Sequence, residues 1–147
     1  MEIEKNNSLN ILPSEPQKRT DLLTVLCVLT FIGSGLSFFS YFMFSLSFDS
    51  ISTVLSESEI DLPGIEMIMN TPISFYYSGT LLFGVSLYGA IKMWNLKKIG
   101  FHLYTASQIL LVILQVIYLS NYGFPYLSVF ITAIFIYLYA RNLTYMS

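Results

Sequence analysis

The sequence predicts an all-α membrane protein, a four-transmembrane-helix bundle with both termini in the cytoplasm. Apolar residues make up 54% of the chain and charged residues only 11%, whereas roughly a quarter of the residues in soluble domains are charged. Several uncharged segments are long enough to cross the roughly 30 Å hydrocarbon core of a bilayer. All seven Lys and Arg residues fall on one side of four such crossings, which is the pattern of the positive-inside rule.

The N-terminal residues 1–20 are polar and carry mixed charges and prolines. They predict a flexible cytoplasmic tail, followed by the transmembrane domain at 21–147. The first span is predicted at 22–48, which contains no charged residue. As a helix it would be about 40 Å long, so we expect either a tilted helix or one whose Ser45–Phe48 end stands in the headgroup region.

The one sizeable loop is predicted at 49–70. It contains five acidic residues, Asp49, Glu57, Glu59, Asp61 and Glu66, and no Lys or Arg. Apolar residues recur on either side of Pro63 and Gly64, so we predict two short amphipathic segments against the outer membrane surface or against the end of the bundle. The carboxylates match no EF-hand spacing and indicate a solvated acidic surface.

Three further spans are predicted, at 72–93, 101–120 and 124–140. Thr71 and Pro72 are typical of a helix N-cap followed by proline at the first helical position. The lysines of segment 92–98 and Trp94 mark the headgroup level between the second and third spans. The short turn 121–123 requires the last two spans to be antiparallel.

The third span carries a polar face. Its residues recur at intervals of four and three, a heptad pattern along one side of a helix: Tyr104, Gln108, Leu111, Gln115 and Tyr118. Two glutamine amides facing lipid would lack hydrogen-bond partners, so this face is predicted to point at other helices. It either joins helices by hydrogen bonds or forms a polar lining for a ligand, quinone, lipid headgroup or water file.

Pairs of small residues four positions apart indicate close helix packing. They are Thr30 with Ser34, Gly33 with Ser37, Thr80 with Gly84, and Ser86 with Ala90. Packing within the bundle and docking of a partner chain both fit this pattern.

Neither a catalytic constellation nor a metal-binding or cofactor motif is recognisable in the sequence. The only cysteine, Cys27, and the only histidine, His102, lack nearby ligand partners. The small net charge of −2 gives no indication of nucleic-acid binding. We therefore expect no enzymatic activity, no cofactor and no nucleic-acid partner.

The start of the first span, Leu23–Gly35 with the sequence LTVLCVLTFIGSG, resembles the opening of a group of small, uncharacterised four-span bacterial membrane proteins. The resemblance implies a multi-pass protein of the bacterial cytoplasmic (inner) membrane, and loop 49–70 would then lie on the periplasmic side. It implies no activity, substrate or functional residue.

The function predicted from the sequence is that of a non-catalytic membrane protein. We expect an accessory, assembly or regulatory subunit of a larger membrane complex, with other membrane subunits or a second copy of itself as partners in the bilayer. The alternative is a small channel, transporter or lipid- or quinone-binding protein that uses the polar face of the third span.

Overall fold

The computed structural model describes residues 19–57 and 64–146, and all regular structure in these two ranges is helical. Five α-helices follow one another: α1 (Asp21–Glu57), α2 (Ile65–Asn70), α3 (Ile73–Trp94), α4 (Lys98–Leu119) and α5 (Tyr126–Arg141). Short 3-10 turns occupy Ser120–Tyr122 and Leu143–Tyr145. Most of the predicted tail, and residues 58–63 of the predicted outer loop, lie outside the described residues.

Within the described ranges, two helices are long and apolar enough to cross a membrane: Asp21–Val54 of α1, and α4. Only 28% of the most apolar window of α1 and 17% of that of α4 is buried. A core helix of a soluble protein would be mostly buried, so the apolar surface of these two helices faces outward. α3 is as long as α4 but contains more Tyr, Ser and Gly, and α5 is a shorter apolar helix.

Helix α1 begins where Thr20 caps it. The Leu23 backbone N–H donates to Thr20 Oγ1 at 3.2 Å, and the same hydroxyl donates to Asn142 Oδ1 at 2.6 Å. Arg19 lies over the Trp94 ring, with its Cζ atom 4.1 Å from the ring centroid. The last two residues of the predicted tail are therefore packed against the domain by a cap and by a cation–π contact.

Helix α1 does not end near residue 48 but continues to Glu57. The first short segment predicted in the outer loop is thus the end of this helix, and α2 corresponds to the second. The expectation that Thr71 caps α3 is wrong, because the residue before α3 is Pro72. Thr71 instead ends α2, where its hydroxyl donates to the Met67 carbonyl at 2.6 Å.

The connection between α3 and α4 is a Schellman motif. Lys97 N–H donates to the Lys92 carbonyl and Leu96 N–H to the Met93 carbonyl, both at 2.9 Å. Leu96 has a φ of 58°, in the left-handed region that usually requires glycine. Its side chain packs against the main hydrophobic core, and this burial offsets the backbone strain.

Helix α3 lies between α1 and α4 and packs along both, whereas α5 contacts α4 and α1 less extensively. α1 and α3 run antiparallel, as do α3 and α4, so the core concentrates at the end where α1 begins and α3 ends. Its members are Leu23, Leu26, Cys27, Ala90, Met93, Tyr104, Tyr139 and Met146. α5 joins this core near its C-terminus through Tyr139, while its N-terminal half is largely exposed.

Candidate functional site

A cleft of about 200 Å³ lies where α1, α4 and α5 face one another above α3. We call it the mid-helix cleft; its lining residues are Leu29, Thr30, Gly33, Ser34, Ser37, Phe83, Tyr104, Gln108, Ile131 and Phe135. The cleft exists because α1 and α4 both pack on α3 rather than on each other, and because α5 approaches them closely only near its C-terminus.

A hydrogen-bonded triad joins three helices at one wall of the cleft. Gln108 Nε2 of α4 donates to Ser86 Oγ of α3 at 3.0 Å, and Ser86 Oγ lies 3.1 Å from Ser34 Oγ of α1. Ser86 and Ser34 are buried, and Gln108 is half-buried. Because these groups satisfy one another away from water, the triad fixes the relative positions of the three helices.

The cleft is closed toward the core by two tyrosines. Thr30 Oγ1 and Tyr139 OH lie 2.8 Å apart in a buried hydrogen bond between α1 and α5. The rings of Tyr104 and Tyr139 meet edge to face, with centroids 5.0 Å apart. This contact holds the C-terminal part of α5 against α1 and α4.

Six residues of the two patterns found in the sequence line the cleft. They are Tyr104 and Gln108 from the polar face of α4, and Thr30, Gly33, Ser34 and Ser37 from the small-residue pattern of α1. Gly33 has no atom within 4 Å of the position that a Cβ would occupy, so it borders open space rather than a tight helix contact.

The lining of the cleft does not include Gln115, Tyr118, Thr80 and Gly84 of the same two patterns. Gln115 is half-buried and forms no side-chain hydrogen bond within the described part of the chain. Tyr118 OH lies 3.3 Å from Ser74 Oγ at the far end of α3. Thr80 donates to the Tyr76 carbonyl of its own helix, and a Cβ on Gly84 would lie 3.4 Å from the Phe38 ring at the α1–α3 contact.

Sequence reasoning did not single out Tyr139, Phe83 and Phe135. Tyr139 is fully buried and carries the hydrogen bond that closes the cleft. A tyrosine hydroxyl within the apolar α5 was the available signal, since buried tyrosines usually have a hydrogen-bond partner. Phe83 and Phe135 gave no signal, because aromatic residues occur throughout these apolar helices.

Comparison with family models, curated proteins and solved structures found no match for this chain.

Proposed function

We propose that this chain is a non-catalytic integral membrane protein with four spans, acting as an accessory, assembly or regulatory subunit of a larger membrane complex. The spans are α1, α3, α4 and α5, and the membrane is the inner membrane of a bacterium, as the resemblance of Leu23–Gly35 implies. The outward-facing apolar surface of α1 and α4 supports the membrane placement, because lipid tails solvate such a surface at no cost.

The distribution of charge supports an orientation with both termini in the cytoplasm. Arg19 contacts Trp94 and Thr20 contacts Asn142, so the start of α1 meets the ends of α3 and α5. All five basic residues of the described ranges lie at this end of the protein, which we call the basic end: Arg19, Lys92, Lys97, Lys98 and Arg141. The described acidic residues at the opposite end are Asp49, Glu57 and Glu66, and the positive-inside rule puts the basic end in the cytoplasm.

The exposed N-terminal half of α5 is the feature that supports a subunit role. Leu127 is 72% exposed and Phe130 is 65% exposed, and neighbouring Tyr126 is exposed as well. α5 is about 24 Å long, shorter than the hydrocarbon core. A short apolar helix that packs on its own chain only near one end leaves a face for a helix of another subunit.

The experiment replaces Leu127 and Phe130 by alanine and purifies the protein in mild detergent. We expect a stoichiometric partner to co-purify with the wild type and to be lost, at least tenfold, from the double variant. The matched control is Leu36→Ala with Phe39→Ala on α1, where the side chains are 67% and 59% exposed. A monomer without a partner, or equal loss in both double variants, would contradict the proposal.

A further inference from the structure

We propose that the mid-helix cleft binds the head of a neutral, lipid-soluble ring compound with carbonyl groups, the chemical class of the quinones. This inference rests on the proposed membrane placement but not on the subunit role. Four properties of the cleft lead to it: depth, hydrogen-bonding groups, size and access.

The first property is depth. Gln108 lies at the middle of α4 (Lys98–Leu119), and Ser34 lies near the middle of the uncharged stretch 22–48. When these helices cross a bilayer, the triad is close to the midplane. Phospholipid headgroups lie at the surface, whereas a neutral ring on an apolar tail dissolves at this depth.

The second property is the set of free hydrogen-bonding groups. Ser86 Oγ accepts a hydrogen bond from Gln108 Nε2 and can donate one to Ser34 Oγ. The hydroxyl proton of Ser34 and the second amide proton of Gln108 then remain available. Ser37 lines the same space and forms no side-chain hydrogen bond within residues 19–57 and 64–146. These residues at the cleft can therefore supply up to three donors to a ligand with acceptor oxygens, such as ring carbonyls.

The third property is size and charge. An apolar cavity of about 150 Å³ is large enough for benzene, so the 200 Å³ of this cleft fit one substituted ring. Aromatic side chains of Phe83, Tyr104 and Phe135 offer surfaces against which a planar ring can pack. None of the lining residues is charged, so a charged head would be unpaired there at a cost of several kcal/mol.

The fourth property is access from the side. Leu29 of α1 and Ile131 of α5 line the cleft and are also exposed on the outer surface. In a bilayer this exposed side of the cleft would face the lipid, so a ligand can enter from the bilayer while its tail stays among the acyl chains. The contacts of Tyr139 with Thr30 and Tyr104 block movement of the ligand toward the basic end.

The test uses the full chain in phosphatidylcholine nanodiscs with decylubiquinone as the probe. Bound quinone is measured as the saturable excess over empty nanodiscs, which subtracts simple partitioning. We expect one quinone per chain in the wild type. Gln108→Leu should lower the affinity about tenfold, the loss expected for one hydrogen bond in a dry site. Gln115→Leu, on the same helix but outside the cleft, should bind as the wild type does.

A second variant keeps the test decisive if Gln108→Leu fails to fold. Gly33→Leu places its side chain in the open space of the cleft, so it should abolish saturable binding while the protein stays folded. Wild-type affinity in both variants, or binding that never saturates, would overturn the proposal. Failure of the chain to enter nanodiscs would instead refute the membrane placement.

Discussion

Two glycines determine how closely α3 and α4 approach each other. A Cβ on Gly89 would lie 2.8 Å from the Tyr104 backbone nitrogen and 2.9 Å from the Gly100 carbonyl oxygen. A Cβ on Gly100 would lie 2.5 Å from the Gly89 carbonyl oxygen. Because the obstructing atoms belong to the backbone, they cannot move aside as a flexible side chain can.

We predict that Gly89→Ala destabilises the protein by about 1–3 kcal/mol, the usual cost of overpacking. The two helices would have to separate, and this would also disturb Tyr104. Gly33→Ala is the matched control, because its added methyl group meets no atom within 4 Å and alanine favours the helix by about 1 kcal/mol. Reversible unfolding of the purified protein in detergent measures both changes, and equal stability of the two variants would contradict the prediction.

At the scale of the element, α1 and α5 differ most in length among the four proposed spans. α1 has 37 residues and is about 55 Å long, whereas the 16 residues of α5 extend about 24 Å. α1 therefore exceeds the hydrocarbon core of about 30 Å even when tilted. Its last aromatic contact is that of Phe48, whose ring lies 5.9 Å from that of Tyr76.

We predict that the part of α1 beyond Phe48 stands in water. In nanodiscs, the backbone amides of residues 49–57 should exchange with deuterium at least tenfold faster than those of residues 26–42, because only the latter are shielded by lipid and by α3. Hydrogen-exchange mass spectrometry gives both rates, with residues 76–90 of α3 as the protected reference. Uniform protection of α1 up to Glu57 would show that the helix is embedded throughout.

At the scale of the whole molecule, the antiparallel order of the helices separates the charges. The chain places its described lysines and arginines at the basic end although they come from three separate segments. Asp21 is the acidic residue found with them. In the proposed orientation this polarity would oppose inversion, because moving the connection between α3 and α4 across the bilayer would carry its three lysines through the hydrocarbon core.

We predict opposite accessibility for the two ends in intact cells. With Cys27 replaced by alanine, Ser50→Cys should react with a membrane-impermeant maleimide in intact spheroplasts. Asn95→Cys should react only after the membrane is permeabilised; both positions are exposed in the fold, so access to the side chain itself is matched. The reverse labelling pattern would show the opposite topology. Labelling of both cysteines without permeabilisation would exclude any topology that places the two ends on opposite sides of the membrane.

The composition and the spacing of apolar residues determine the helices to within a few residues, because a long uncharged segment has few alternatives to a helix. They place α3 and α5 close to the predicted spans 72–93 and 124–140. They do not determine where α1 ends, since the sequence around Ser50 and Ser52 is compatible with both loop and helix. The role of Thr71 also depended on whether the preceding segment Ile65–Asn70 forms a helix, because the Thr71 hydroxyl donates to the Met67 carbonyl at the end of that helix.

The heptad spacing of Tyr104, Gln108 and Gln115 identified a polar face, but not what that face contacts. Gln108 donates to Ser86, which also bonds Ser34, whereas Gln115, seven residues further along, forms no side-chain hydrogen bond among the described residues. That difference arises from where α1 and α3 lie relative to α4, which depends on contacts between distant parts of the chain. The sequence by itself determined the apolar helices and the separation of charge, because both follow from local residue chemistry. Only the tertiary structure decided that small residues of α1 and a glutamine of α4 line one cleft, because packing at Gly89, Gly100 and Tyr139 brings them together.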